Sequence, residues 1–304
     1  MDAGWPDAEW VIGGRFAMLD RIGAGGTGRV WRAYDRQRGD YCAAKLVRQT
    51  GTSVRLRVVR ERALRLAHPH VVTPYAWYPA DEDVLLAMNL VRGGSLETLL
   101  GDYGGLPPAF AAELLDQLLA ALGHVHAAGI VHRDVKPANL LLEPSPVGAP
   151  HLRVADFGIA LGGDGMRFTT TGFTVGTPGY LAPEVLDWNR PGPAQDLYAA
   201  GMVCWRMLTG AGDPEPRQRV GPPPPGVPAA LWSAVRRLCA PAPQDRPASA
   251  EAARAELAAC APRLDLPART RDGEPLQIFD HLPPLDPPGS GGRQGPHGVS
   301  SSGR

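Results

Sequence analysis

Lysine is almost absent from this chain. Its 304 residues include 31 lysines and arginines, and only two of them, Lys45 and Lys136, are lysines. A preference for arginine is uninformative by itself, because the base composition of the coding DNA can produce it. The two exceptions are informative, because a compact ammonium group suits a phosphate where the wide guanidinium fork does not. The two lysines therefore mark candidate phosphate-binding positions.

Other absences exclude whole classes of protein. The formal net charge is zero, so the sequence predicts no basic surface of the kind that binds nucleic acid or an anionic membrane. No apolar run approaches the roughly 20 residues of a membrane span, and the first residues lack the pattern of a signal peptide. Four widely separated cysteines show no metal-ligand spacing: Cys42, Cys204, Cys239 and Cys260. They predict reduced thiols and hence a cytoplasmic protein. The charge and the lack of a long apolar run predict that this protein has no nucleic-acid or membrane partner.

A dense set of reactive groups lies between a predicted helix and a predicted hairpin. Residues 132–139 read H-R-D-V-K-P-A-N, after an apolar helical pattern and before the apolar run 140–142. Within six residues this segment contains an acid that can accept a hydroxyl proton, Asp134, and a cation that can contact a phosphoryl group, Lys136. It also contains an amide that can bind a metal, Asn139. Such a set suits phosphoryl transfer.

Two further motifs flank this segment at informative distances. Residues 23–30 read G-x-G-x-x-G-x-V. A dinucleotide-binding motif would continue into a helix, whereas residues 30–34 are β-like and a turn at 38–40 leads to a second strand with Lys45. Downstream, Asp156 begins a D-F-G motif 22 residues after Asp134. The pattern favours a strand–glycine loop–strand hairpin over a dinucleotide site.

With these motifs the chain resembles the bacterial eukaryotic-like serine/threonine protein kinases. The resemblance implies an α+β, bilobal protein kinase fold with a small β-rich N-lobe containing one helix, a larger and mostly helical C-lobe, and a disordered C-terminal tail. The expected segments are a leader at 1–14, a kinase domain at 15–262 (N-lobe 15–89, hinge 89–92, C-lobe 93–262) and a Pro/Gly-rich tail at 263–304.

The resemblance also implies roles for the central motifs. Asp134 would orient and deprotonate the acceptor hydroxyl, and Lys136 would stabilise the phosphoryl group in transfer. Asn139 and Asp156 would bind magnesium or manganese. Thr177 would form hydrogen bonds with Asp134 and Lys136 and shape the substrate site.

ATP is expected to lie between the two lobes. By the resemblance, Lys45 would hold its α and β phosphates, paired with Glu61, the only acid between residues 41 and 80. The remaining residues expected to contact the nucleotide are Ile22, Gly23, Ala24, Gly25, Gly26, Thr27, Gly28, Val30, Ala43, Met88, Asn89, Val91 and Leu141.

Regulation and scaffolding complete the expectations from the family. The threonine-rich segment 159–177 resembles an activation segment, in which Thr169 and Thr171 match paired autophosphorylation positions. Arg133 would receive the added phosphate. Family members also form homodimers for trans-autophosphorylation. Two scaffold contacts are expected: an ion pair between Glu184 and Arg246, and a hold on the catalytic-loop backbone by Asp196.

The sequence thus predicts an ATP-dependent serine/threonine protein kinase that transfers the γ-phosphoryl group to Ser/Thr hydroxyls of proteins. The alternative is a pseudokinase scaffold that binds nucleotide without turnover. The short interval after Glu61 and the asparagine at hinge position 89 favour it. A small-molecule phosphotransferase is disfavoured by the A-P-E motif at 182–184. The apolar stretch 275–282 is either a docking segment, for this domain or a partner, or inert.

Overall fold

The first part of the chain forms an antiparallel sheet of six strands. The computed structural model describes residues 10–25, 28–48, 66–156, 177–186 and 192–282. The strands are β1 (Val11–Ile12), β2 (Phe16–Gly25), β3 (Gly28–Asp35), β4 (Asp40–Arg48), β5 (Pro74–Ala80) and β6 (Asp83–Asn89). Their order in the sheet is β1-β2-β3-β4-β6-β5. Hairpins therefore connect most neighbouring strands. The predicted turn at 38–40 joins β3 to β4.

Strand register decides which side chains face the helical lobe. Ala43 pairs with Met88, and Lys45 pairs with Val30 on one side and Leu86 on the other. Because alternate residues of a strand point to opposite faces, Ala43 and Lys45 share one face. The two residues next to Ala43 point to the opposite face, where they are buried in a core with Phe16 and Leu85. These residues are Cys42 and Ala44.

The folded region begins earlier than the expected leader allows. Strand β1 lies inside the range 1–14, and Ile12 on it is buried. Trp10 packs edge-on against Trp31, with ring centroids 5.2 Å apart. A strand of two residues is too short to produce an alternating pattern, which is why the sequence did not reveal it.

Most helices belong to the second lobe. They are α1 (Leu96–Tyr103), α2 (Pro108–Ala127), α3 (Pro183–Leu186), α4 (Pro193–Thr209), α5 (Ala229–Leu238) and α6 (Ala250–Ala258). A two-stranded ladder of β7 (Leu140–Leu142) and β8 (Leu152–Val154) completes the lobe. Ser95 caps the N-terminus of α1 in a reciprocal capping box with Thr98.

Helices α2 and α4 form the centre of this lobe. Leucines that recur at helical spacing on α2 are almost fully buried: Leu114, Leu115, Leu118, Leu119 and Leu122. On α4, a side chain at Gly201 would lie 2.7 Å from both Leu238 and Cys239, so the absence of one lets the end of α5 approach closely. No helix in the described ranges has the length and hydropathy of a membrane span.

The chain after α6 is more ordered than was expected of a Pro/Gly-rich tail. Residues 263–282 lie against the C-lobe, with Leu276 and Ile278 almost fully buried. The expected disorder therefore does not extend to this half, and residues 283–304 are outside the described part of the chain. The sheet and the helical body together are the α+β, bilobal arrangement that was predicted.

Candidate active site

An apolar cluster lies between the sheet and the helical lobe. Six of the apolar side chains that were predicted to contact a nucleotide belong to it: Ile22, Val30, Ala43, Met88, Val91 and Leu141. Val72 and Ala155 also belong to it, although the sequence did not assign them, and so does Leu90 of the expected hinge. The sequence could have indicated Ala155, because it directly precedes Asp156. It offers no such indication for Val72, which lies on no periodic pattern.

The glycine-rich segment is a β-hairpin. Strands β2 and β3 pair from Gly23 opposite Val30 through Ala24 opposite Arg29 to Gly25 opposite Gly28. This confirms the strand–loop–strand prediction and excludes the strand–helix arrangement of a dinucleotide site. Gly26 and Thr27, at the tip, lie outside the described residues.

Lys45 forms an ion pair that links the two lobes. Its side chain is 8% exposed, and its Nζ lies 2.6 Å from Oδ1 of Asp156. Asp156 has a φ of +55°, a left-handed conformation that is uncommon outside glycine and is held where surrounding structure requires it. Glu61, the predicted partner of Lys45, lies outside the described residues, so that prediction stays untested.

The catalytic-loop residues lie together as the motif predicts. Lys136 Nζ is 2.9 Å from Oδ2 of Asp134. The amide Nδ2 of Asn139 donates to the carbonyl oxygen of Asp134 at 2.7 Å and to its Oδ2 at 2.9 Å. A cation and an amide thus fix the orientation of one carboxylate that is about one-quarter exposed.

Thr177 does not make its predicted hydrogen bond. It lines a small pocket together with Asp134, Tyr180, Leu181 and Ala182. However, no hydrogen bond joins its side chain to Asp134 or Lys136, both of which the structure describes. The carboxylate of Asp134 is held instead by Lys136 and Asn139, both through Oδ2.

Asp196 holds the backbone before the catalytic residue. This buried carboxylate on α4 accepts hydrogen bonds from the backbone N–H groups of His132 at 2.8 Å and Arg133 at 2.9 Å. The prediction for Asp196 is therefore confirmed. His126 on α2 adds a third contact, with Nε2 2.8 Å from Asp196 Oδ2. No local pattern indicates this contact, because it joins residues 70 positions apart.

His132 is a neutral structural histidine. It is fully buried, and this burial lowers its pKa, against the opposing effect of the Asp196 charge. Its Nδ1 accepts from the backbone N–H of Asp134 at 3.2 Å, and its Nε2 lies 3.1 Å from the carbonyl of Ala155. Since Nδ1 accepts, the proton lies on Nε2, which donates to that carbonyl. One ring therefore connects the catalytic loop to the residue before Asp156.

The A-P-E segment is fixed by a buried ion pair. Arg246, whose side chain is 0% exposed, forms a two-point contact with Glu184, at 2.6 and 2.7 Å. This confirms the predicted pair. A second network was not predicted: Arg206 on α4 binds Glu97 at 2.6 Å and Asp213 at 2.9 Å, and Tyr180 donates to Asp213 at 2.8 Å.

Asn139 and Asp156 fit a magnesium ion on chemical grounds. Mg²⁺ prefers oxygen ligands, usually one or two carboxylates with water and substrate phosphates. Both amide hydrogens of Asn139 are directed at Asp134, so its amide oxygen is the atom left for a metal. Asp156 is 34% exposed and supplies a carboxylate. A backbone hydrogen bond from Ala155 N to the Asn139 carbonyl, at 2.9 Å, keeps the two segments adjacent.

Comparison with known proteins gives relatives over most of the chain. The family model described as "Protein kinase domain" matches residues 16–217. The serine/threonine-protein kinase PkaA of Streptomyces coelicolor is 34% identical, over 80% of this chain and 49% of its own length. The serine/threonine-protein kinase pkn3 of Myxococcus xanthus is 33% identical, over 93% of this chain and 56% of its own. For the serine/threonine-protein kinase PknA of Mycobacterium tuberculosis, the identity is 33% over 77% of this chain and 57% of its own.

The chain thus spans about half the length of the curated relatives it matches. Among solved structures, Rad53 1–466 in complex with AMP-PNP has a TM-score of 0.63 and 24% sequence identity. The match covers 79% of this chain and 64% of that one. This likeness supports the fold alone.

Proposed function

The chain belongs to the protein kinase family, and on this premise we propose that it is an ATP-dependent serine/threonine protein kinase. It transfers the γ-phosphoryl group of ATP to Ser/Thr hydroxyls of proteins. The observation that carries this proposal is the pairing of Lys45 with Asp156 across the cleft, beside Asp134 held by Lys136 and Asn139. Every described group that phosphoryl transfer requires is therefore present and in contact with its neighbour.

The nucleotide base would lie within the apolar cluster between the lobes. Ala43 and Met88 face it from the sheet, and Leu141 faces it from the β7–β8 ladder. The backbone of the hinge, residues 89–92, would supply polar contacts. The asparagine at position 89 leaves these contacts intact, because its side chain is directed outward and accepts from Arg38 at 3.2 Å.

The residues of the catalytic loop would then have separate roles in phosphoryl transfer. Asp134 orients the acceptor hydroxyl and accepts its proton. Lys136, an ammonium group 2.9 Å from that carboxylate, stabilises the charge on the phosphoryl group in transfer. Asn139 and Asp156 would hold magnesium, which when bound neutralises charge on the ATP phosphates. Lys45 would exchange part of its contact with Asp156 for the phosphates.

The direct test is the intact mass of the purified protein before and after incubation with magnesium and ATP. The unsubstituted chain should gain multiples of one phosphate. Asp134→Asn should gain none, because the amide cannot accept the hydroxyl proton. Lys45→Arg is the sharper variant, since it retains charge but not the compact geometry of an ammonium group, and it should also gain none. Phosphate added to Asp134→Asn would contradict the assigned role.

We further propose that phosphorylation of the activation segment controls this activity. Thr169 and Thr171 lie outside the described residues, so support comes from Arg133, which is exposed and lines the pocket beside Asp134. Phosphopeptide mapping should find phosphate at Thr169 or Thr171. The reaction proposed is trans-autophosphorylation between the two chains of a homodimer, and the proposed location of the protein is the cytoplasm. If the double variant Thr169→Ala/Thr171→Ala phosphorylates a protein substrate at the wild-type rate, this control does not exist.

No phosphate gain by the unsubstituted chain, together with measurable nucleotide binding, would instead favour the pseudokinase scaffold. The same mass experiment therefore separates the two functions.

A further inference from the structure

The segment after α6, residues 263–282, which we name the C-terminal strap, is attached along the C-lobe. Its Ser145–Ile278 bridge has backbone hydrogen bonds of 2.8 and 2.9 Å. Tyr103 on α1 donates to the carbonyl of Gln277 at 3.2 Å and accepts from its N–H at 3.1 Å. These contacts make the strap part of the folded domain.

The strap ends on the last residue of the hinge, Arg92. The backbone N–H of His281 donates to the carbonyl of Arg92 at 2.9 Å. The guanidinium of Arg92 lies 3.0 Å from Asp280 Oδ2 and donates to the carbonyl of Leu282 at 3.3 Å. Both the backbone and the side chain of Arg92 are thus held, one residue beyond Val91 of the apolar cluster.

The strap also contacts the backbone that follows the hinge, at Gly93. A side chain at Gly93 would lie 2.8 Å from Ile278 and 2.5 Å from the carbonyl oxygen of Leu142. Ile278 therefore fills the space next to the hinge exit, and only glycine permits that approach. Gly93 donates to Leu142 at 2.8 Å, and Leu141, its neighbour, lies in the apolar cluster. The strap therefore lies against the hinge exit directly and is connected to the segment of Leu141 through Gly93.

We propose that the C-terminal strap is a positioning element for the nucleotide, with Asp280 and Ile278 as its positioning residues. They touch neither ATP nor the reacting atoms, and act by fixing Arg92 and Gly93 and hence the hinge. This inference rests on the proposed function, since it requires that the cleft binds ATP.

The chain offers a matched control for Asp280. Asp280 and Arg92 are 41% and 40% exposed in their side chains and 3.0 Å apart. Asp116 and Arg254 are 35% and 44% exposed and 2.8 Å apart, on α2 and α6. The two ion pairs should contribute equally little to stability. They differ in that only the first is attached to the hinge, and in that Asp280 Oδ1 also accepts from the backbone N–H of Leu282, within the strap, at 3.0 Å.

The experiment measures the dissociation constant for a non-hydrolysable ATP analogue with magnesium, and the melting temperature, on the full chain. Asp280→Ala should raise the dissociation constant on the order of threefold, and Ile278→Ala on the order of tenfold. Asp116→Ala should change neither quantity measurably. Asp280→Glu should restore most of the affinity, because it can still reach Arg92.

The outcomes separate this inference from the proposed function. If the unsubstituted chain does not bind the nucleotide, the proposed function fails and the inference with it. If it binds and Asp280→Ala binds equally well, the inference alone fails. A lowered melting temperature of Ile278→Ala with unchanged affinity would assign the strap a purely structural role, and would also overturn the inference.

Discussion

Replacing Asp196 by asparagine tests how the catalytic loop is held. The carboxylate is buried and accepts from the backbone N–H groups of His132 and Arg133 and contacts His126 Nε2, at 2.8 to 2.9 Å. An amide of the same shape has one accepting oxygen, so at least one of these donors must face an NH₂ group. We expect the backbone N–H of Arg133 to lose its partner, because the other two donors share a single oxygen, Oδ2.

The expected loss of unfolding free energy is about 3 kcal/mol. A hydrogen bond to a charged acceptor contributes about 1.5–3 kcal/mol, and the upper end applies here because the accepting carboxylate of Asp196 is buried. Arg133 also has a φ of +71°, a strained conformation that costs about 1–3 kcal/mol and persists only while its surroundings enforce it. Without the hydrogen bond, this residue can relax and move the neighbouring Asp134.

The assay is urea unfolding followed by tryptophan fluorescence, alongside the initial rate of phosphorylation. Asp196→Asn should lower both the unfolding midpoint and the rate, whereas the control Asp116→Asn, which affects only an exposed ion pair, should lower neither by much. A variant within about 0.5 kcal/mol of the unsubstituted chain and with an unchanged rate would refute the argument.

Two further predictions concern stability. Glu184→Ala should lower the unfolding free energy by about 3–5 kcal/mol, measured by urea denaturation, because it leaves the guanidinium of Arg246 buried without its carboxylate. Equal stability would contradict this. Burial lowers the pKa of His68, His70 and His132 below the ordinary value of 6.5. The unfolded chain therefore binds more protons below that pH, so stability is complete above pH 6.5 and is lost as the pH falls through it. The melting temperature should drop between pH 7 and 5.5, and a rise would contradict the assignment.

The sequence alone predicted the arrangement of the site where the reactive residues are close together in the chain. Asp134, Lys136 and Asn139 lie within six residues of one loop, so their proximity follows from covalent connection alone. The pairing of Glu184 with Arg246 joins residues 62 positions apart, and it was predicted only because the family resemblance supplied the partner. The hydrogen bond predicted for Thr177 is not formed between the described residues, since a sequence motif does not show how a side chain is oriented.

The C-terminal strap shows why the rest could not be predicted. Proline and glycine content indicated disorder over residues 263–304, with only the stretch 275–282 set apart as a docking segment. A segment that buries single residues such as Leu276 and Ile278 on an existing surface needs no periodicity of its own. The network of Arg206, Glu97 and Asp213 was missed for a related reason: charged residues on separate helices have no local signal until the helices pack.

The scarcity of lysine makes the cleft selectively accessible to covalent chemistry. Both ε-amines of the chain lie at carboxylates of the site, Lys45 beside Asp156 and Lys136 beside Asp134. Apart from its α-amino group, the chain therefore offers amine-directed reagents two targets, with side chains 8% and 26% exposed. Acylating labels, cross-linkers and immobilisation chemistry that need an ε-amine would all inactivate this protein, and a bound nucleotide would protect it from them.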